Sequence, residues 1–306
     1  MFVRSLIASP LNYTGGKFKL LPQLLPLFPK KINTFIDLFC GGANVGINVK
    51  SHKVIYNDIS PQLHELYKIF STQKPEILLS SVYKIIEKYN LSLSSKNGYE
   101  FYKSTSNKGL GEYNKNGFLR LRNELNDKNI IDEAYCIMLY VAIVYAFNNQ
   151  IRFNANGEFN LPVGKRDFNA KMQEKLLRFM TRLQEQSREF SCLDFRNFDT
   201  KRLGEDDFVY IDPPYLITCA SYNENGGWSE KDELDLLKFI DNLDKKGIKF
   251  AISNVLTSKG KTNKILLSWL EKRQFSTHHL RHKYSNSNYQ IKDKSGFSDE
   301  VLITNY

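Results

Sequence analysis

Thr34-Phe-Ile-Asp-Leu-Phe-Cys-Gly-Gly42 is the stretch on which the fold turns. A compact apolar run that ends in paired glycines reads as a buried strand entering a tight turn. Residues 44–49 are expected to form the helix that follows. Lys53-Val-Ile-Tyr-Asn-Asp58 is a second short strand with an acid at its end, and Pro61 opens another helix at its first turn. Strand, glycine turn, helix and strand are the opening of a doubly wound α/β sheet. Glycines after the first strand let backbone approach a ligand at the carboxyl edge, and an acid after the second suits ribose hydroxyls. The glycines do not follow GxGxxG, and no Lys-Ser or Lys-Thr follows them, so a phosphate cradle is not supported.

Upstream, residues 19–28 read as a brief apolar helix ended by Pro29. Downstream, the character of the chain changes. From about residue 71 to 125 it is rich in Lys, Asn, Ser and Tyr, with helical patches such as residues 77–89. Residues 130–147 read as a buried helix, and residues 148–164 as a hairpin with Asn156-Gly157 at its turn. Residues 70–165 are therefore expected to be an inserted, mostly helical domain with a hairpin. Residues 1–69 and 166–306 form the α/β part. Strand patterns return at 189–193, 207–212, 248–253 and 300–305, with helices at 231–245 and 263–272.

The second informative stretch is Asp212-Pro-Pro-Tyr215, directly after the apolar strand. At proline usage of about 5%, an acid or amide followed by Pro-Pro-aromatic arises by chance in about one such chain in a hundred. A rigid turn is the plain reading, and the rigidity has a chemical use. Two prolines remove two N–H donors and leave carbonyl oxygens as pure acceptors. Asp212 and the Pro213 carbonyl can then receive both hydrogens of an exocyclic amine, and Tyr215 offers a ring for a flipped-out base. Leu11-Asn-Tyr-Thr-Gly-Gly-Lys17, taken alone, reads as a flexible turn.

Composition sets bounds on partners. The chain has 306 residues, 42% hydrophobic and 25% charged, enough for a self-sufficient core. Lys and Arg number 43 against 33 Asp and Glu, a net charge of +10 that favours a polyanionic partner. The four cysteines form no CxxC and adjoin no His pair, so neither a metal site nor a disulfide framework is expected. No apolar run suits a signal peptide or a membrane helix, which points to the cytoplasm.

Together these motifs resemble the Dam-like, D12-class, α-group family of adenine-N6 DNA methyltransferases. The order matches over most of the chain: Gly-Gly-Lys, glycine-rich loop, recognition insert, then DPPY. The resemblance implies a Rossmann-like methyltransferase sheet that uses S-adenosyl-L-methionine. Tyr13 and Lys17 would close over the methionine end, Asp37, Phe39, Cys40 and Gly41 would line its backbone side, and Asp58 would bind the ribose. Asp194 and Phe195 would meet the cofactor adenine, and Asp212, Pro213 and Tyr215 would be catalytic, with Asp212 also touching the cofactor. Asn148, Arg152, Asn154 and Asn160 match the family's DNA-reading hairpin, where Arg suits guanine and Asn suits adenine in the major groove. Tyr222 lies in a segment like one that orders around DNA. Lys259, Lys261, Arg281, His282 and Lys283 suit phosphates or a solvated face.

The implied substrate is adenine in a short site in double-stranded DNA, with GATC as first expectation. A monomer is implied, with room for a cognate restriction endonuclease as partner. Cytosine-N4, RNA or protein glutamine methylation fits the same amine chemistry, and an inactive DNA-binding relative is a different class of reading. In one respect the chain departs from the family pattern, with Ala43 where the loop often has glycine. Alanine serves there if the position does not need positive φ.

Overall fold

The computed structural model describes residues 6–218, 227–281 and 298–306. Its centre is one sheet built from β1 (Thr34–Asp37), β2 (Lys53–Asn57), β3 (Arg188–Ser191), β4 (Phe208–Ile211), β5 (Lys249–Ser258), β6 (Ser276–Leu280) and β7 (Ser298–Thr304). The strand order is β3-β2-β1-β4-β5-β7-β6. The first five of these are mutually parallel, and β7 runs antiparallel to both β5 and β6. A two-residue strand, Lys261–Thr262, folds back on the end of β5 and carries exposed Lys259 and Lys261 at its tip. This is the mixed α/β sheet expected of a methyltransferase.

Period-two alternation divides the strands between two apolar layers. Phe35, Val54, Tyr56, Phe208, Tyr210 and Leu302 join one cluster, while Ile36, Ile55, Val209, Ile211, Val301 and Ile303 join the other. The first layer is covered by α1 (Pro61–Thr72), α2 (Pro75–Lys88), α3 (Gly111–Asn126), α4 (Glu133–Tyr145) and α5 (Ala170–Glu185). The second is covered by α6 (Glu230–Lys245) and α7 (Lys264–Leu270). Helix starts follow ordinary capping chemistry. Ser60, Asp132, Asn169 and Asn263 each accept from a first-turn N–H, and Ser229 with Asp232 forms a reciprocal capping box.

Several local expectations are corrected. Residues 19–28 do not form one helix: Pro22 and Pro26 divide them into short turns, Lys17–Leu20, Leu21–Leu24 and Leu25–Leu27. Residues 44–49 form tight turns instead of a helix. Ala43 there has φ +55°, which interrupts helical geometry, and Gly46 packs where a Cβ would lie 2.4 Å from the Tyr56 ring. Helix α3 carries little propensity signal because Asn and Gly are poor helix formers. Its Gly117 sits where a Cβ would lie 2.1 Å from the Tyr89 carbonyl, so close approach of the end of α2 explains that glycine.

The hairpin forms as expected. Phe153 and Phe159 bridge antiparallel, the Asn154 N–H donates to the Glu158 carbonyl, and Gly157 takes φ +78° at the turn. It is fastened to α3 by Arg122, which donates to the Leu161 carbonyl, and by Asn126, whose amide both donates to and accepts from Phe159. Among the described residues, no helix is long and apolar enough to cross a membrane.

Candidate active site at the carboxyl edge of the sheet

Strand order reverses between β2-β1 and β4-β5, which opens a crevice at the carboxyl ends of β1 and β4. Acids collect there. Asp37 is the last residue of β1, Asp58 and Asp212 each follow the last residue of β2 and β4, and Asp194 lies three residues past β3. Buried Asn57 ties the loops together: its amide donates to the carbonyls of Leu38 and Leu193 and accepts from Leu193 N–H and Ser191 Oγ.

The glycine turn is crowded from above and held from below. The ring of Tyr13 lies over it, so a Cβ on Gly41 would stand 2.9 Å from Tyr13 Cδ1, and Gly41 has φ +45°. Gly41 N–H donates to Asp58 Oδ2 at 2.8 Å, and buried Tyr67 donates its hydroxyl to the Gly41 carbonyl. Asp58 also accepts from Ser60 N–H. Cys40 is buried, and burial pushes its thiol well above its ordinary range, which removes it as a nucleophile. Ala43 adopts positive φ after all, at +55°, held by its N–H to the Cys40 carbonyl at 2.6 Å. For a residue with a Cβ this geometry costs about 1–2 kcal/mol.

The centre of the site is Lys17, only 3% exposed. Its Nζ lies 2.9 Å from Asp212 Oδ1 and 3.7 Å from Glu300 Oε1, and it donates to the Gly15 carbonyl at 2.9 Å. It also stands 5.0 Å from the centroid of the Tyr215 ring. Tyr215 donates its hydroxyl to Asp212 Oδ1 at 2.9 Å, with Glu300 Oε1 3.4 Å away. Burial raises the Asp212 carboxyl above the usual range, and the Lys17 charge opposes that rise. The Gly-Gly-Lys stretch is therefore a built part of the site, beyond the flexible turn it resembles in isolation.

On the β2–β3 side, Phe39, Phe195 and Trp228 form an aromatic group with ring centroids 5.6–5.9 Å apart. Arg196 lies over Phe195 and pairs with Asp194, Asp232 and Asp235. The hairpin residues lie elsewhere, in the covering layer. Arg152 donates from Nε to Asn160 Oδ1 at 2.8 Å, so the two form one unit. The Asn154 side chain is occupied by its own turn, accepting from Asn156 and Glu158 N–H and donating to Glu158 Oε2. Asn148 has φ +56°, and its carbonyl accepts from Asn12 at 2.7 Å. The Arg281 carbonyl accepts from the Gln23 side-chain amide, and the Arg281 N–H donates to Gln23 Oε1. Tyr222, His282 and Lys283 lie outside the described residues.

Sequence reasoning missed Glu300 and Trp228. Glu300 follows Asp299 at the head of an apolar closing strand, and its 1% exposure is the sign of a built role. Trp228 gives no periodic signal. A wall of donors and acids at parallel strand ends, with no room for side chains on the glycine turn, fits a nucleoside ligand carrying positive charge.

The family of D12 class N6 adenine-specific DNA methyltransferases matches residues 13–286. The chain belongs to this family. It is 43% identical over 307 residues to Modification methylase StsI of Streptococcus sanguinis and 42% identical over 308 residues to Type II methyltransferase M.FokI of Planomicrobium okeanokoites. Those matches cover 98% and 99% of this chain but 43% of each relative, so the chain spans less than half the length of these two proteins. Identity to the DNA adenine methylase of Haemophilus influenzae is 28%, over 80% of this chain and 78% of that protein.

Two outcomes follow from this geometry. Ala43→Gly is expected to change stability by less than about 1 kcal/mol, because relief of positive φ offsets added chain entropy. Gly41→Ala is expected to cost about 1–3 kcal/mol, since the new methyl meets the Tyr13 ring. Urea unfolding of the two variants compares them, and equal costs would contradict the assigned backbone.

Asp37 supplies a pH signature. Burial pushes its carboxyl up to about 7, only partly opposed by the Gly46 N–H, with Asp212 and Asp58 adding repulsion. The folded chain therefore keeps a proton that the unfolded chain has already lost above about pH 4. This group makes stability fall as pH rises from about 4 to about 7, and then level off. Asp37→Asn keeps an oxygen for Gly46 and removes that slope, so the variant gains on wild type across this window. A constant difference in urea midpoints from acid to neutral pH would show that Asp37 takes up its proton alike in the folded and unfolded chain, against the upward shift.

Proposed function

We propose that this chain transfers a methyl group from S-adenosyl-L-methionine to the N6 amine of adenine in a short double-stranded DNA site. The observation that carries the reading is the buried Lys17–Asp212 pair at the head of Asp212-Pro213-Pro214-Tyr215, set beside the glycine turn and Asp58. Bound S-adenosylmethionine supplies an electrophilic sulfonium methyl. Its fit rests on Asp58 for ribose hydroxyls, Tyr13 and Gly41 for close backbone approach, and the surplus of carboxylates for its positive charge.

The residues of the chain then divide the work. Lys17 and Tyr215 both bind Asp212 Oδ1, which fixes the carboxylate plane. Pro213 and Pro214 present carbonyls with no competing N–H, so an amine held here donates both hydrogens and turns its lone pair outward. Lys17 opposes the rise that burial imposes on the Asp212 carboxyl and so favours its acceptor form. Rate enhancement comes from positioning and from a polarised, water-poor pocket. The target base leaves the duplex stack, at a cost of a few kcal/mol offset by stacking on groups such as Tyr215.

Residues 70–165 are the recognition insert in this reading, with Arg152 held by Asn160 for a guanine edge and Asn148 beside it. Tyr222 would join around DNA. The resemblance to modification methylases at 42–43% identity makes a cognate restriction endonuclease the natural partner, with the chain acting as a monomer on cytoplasmic DNA. GATC is the site first suggested by the Dam-like motifs; the experiment below returns the site directly.

Expression in a methylation-free host, followed by sequencing that maps N6-methyladenine, is expected to show one short motif modified throughout the genome. Asp212→Ala is expected to abolish that signal while retaining part of the cofactor affinity. Methylation confined to cytosine or RNA would replace the substrate, and an active Asp212→Ala would remove the catalytic assignment.

Arg152→Ala is expected to cost about 1–3 kcal/mol at one base pair of the site and to relax choice there. Uniform weakening across all sequences would instead make Arg152 a phosphate contact.

A further inference from the structure

Phe39, Phe195 and Trp228 come from three remote segments: the loop after β1, the loop after β3, and the approach to α6. Phe195 is the buried base of the group, backed by Phe239 and Arg196, whereas Phe39 and Trp228 are only half-buried. A purely structural cluster would bury all three rings. Here two rings keep an open side at the carboxyl edge of the sheet.

What fixes the indole is unusual. Trp228 Nε1 donates at 2.7 Å to Oε2 of Glu233, a carboxylate with 0% exposure. The other oxygen, Oε1, accepts from the amides of Asn254 at 3.3 Å and Asn263 at 2.8 Å. These three donors are neutral and come from the approach to α6, from β5 and from the start of α7. Burying a carboxylate is costly unless its acceptor sites are filled by donors. A glutamine would fit the space but would turn an amino group toward one of the donors. Two acceptor oxygens for three N–H groups is an arrangement that only a carboxylate provides.

We infer that Trp228 is a wall of the pocket for the adenine ring of the cofactor, and that Glu233 is the positioning residue that holds it there. The inference rests on the S-adenosylmethionine reading proposed above. Phe39 shares the wall, and Phe195 supports both rings from behind. Asn254 and Asn263 orient Glu233 without facing the pocket themselves.

The chain contains two tryptophans, Trp228 and Trp269. Trp269 is buried within the same apolar layer, bonded to Asp241 and covered by Arg273, whereas Trp228 is half-buried at its edge, so Trp228 is the natural optical reporter. S-adenosylhomocysteine is the probe, titrated by calorimetry and by tryptophan emission. Wild-type emission is expected to change on binding, and that change is expected to be missing from Trp228→Phe. Trp228→Ala and Glu233→Gln are expected to raise the Kd for the probe about fivefold or more. Glu233→Gln should also raise KM for S-adenosylmethionine by a larger factor than it lowers kcat. If wild type binds the probe by calorimetry with unchanged emission, or if Trp228→Ala and Glu233→Gln bind it as tightly as wild type, the inference is overturned and the proposed reaction stands. A loss of thermal stability in Glu233→Gln with unchanged Kd would likewise assign it to the core alone. No binding of the probe to wild type would overturn the cofactor reading, and this inference with it.

Discussion

The buried ammonium of Lys17 is the constraint on which the site depends. Taking such a charge out of water costs several kcal/mol unless anions and dipoles replace the water. At Lys17 those groups come from separate parts of the chain: Asp212 after β4, Glu300 on β7 and the Gly15 carbonyl of its own loop. The cation is satisfied only when the amino-terminal loop, the DPPY turn and the closing strand are docked together. Docking then sets Tyr13 over Gly41 and Gly42, and Gly41 is in turn held by Asp58 and Tyr67. A line of direct contacts thus runs from the DPPY turn to the acid after β2.

The sheet makes this convergence possible. Because β1 pairs with both β2 and β4, the acids that end these strands face one crevice. Asn57 holds the β1 and β3 loops at fixed height. The helices over the first layer, those of the insert among them, share one continuous apolar cluster with the sheet. The hairpin therefore has no separate core to move with. It is fastened to α3, and Asn12 of the amino-terminal loop bridges to Gln150 and donates to the Asn148 carbonyl. A shift of the hairpin is felt one residue away from Tyr13.

Much of this was legible in the residues. Apolar runs ending in glycine or acid located β1, β2 and β4, and the family resemblance named Tyr13, Lys17, Asp37, Gly41, Asp58 and Asp212, groups that the fold brings to one edge. What escaped the reading is long-range or context-made. Glu300 and Glu233 look like ordinary acids until burial is known. Helix α3 is polar and contains glycine, so tertiary packing through Phe118, Leu121 and Leu125 overrides weak propensity. The expected helix at 44–49 failed for a local reason, since nothing in an alanine announces φ +55°. Asn154 shows the reverse case: an amide suited to base reading is consumed by its own turn.

The two signs of charge are distributed unevenly over the molecule. The chain as a whole is positive by ten, which draws a polyanion to its surface over a Debye length. The carboxyl edge is the opposite: Asp37, Asp58, Asp212 and Glu300 lie there, the last two paired with Lys17, and burial raises the first three above the usual carboxylate range. A phosphate entering that crevice would meet repulsion, whereas a sulfonium would gain. Under the proposed reaction the cofactor surrenders its sulfonium charge with the methyl group, so the same acids hold the product less strongly than the substrate. In that reading the field that favours the cofactor also helps to release what remains of it.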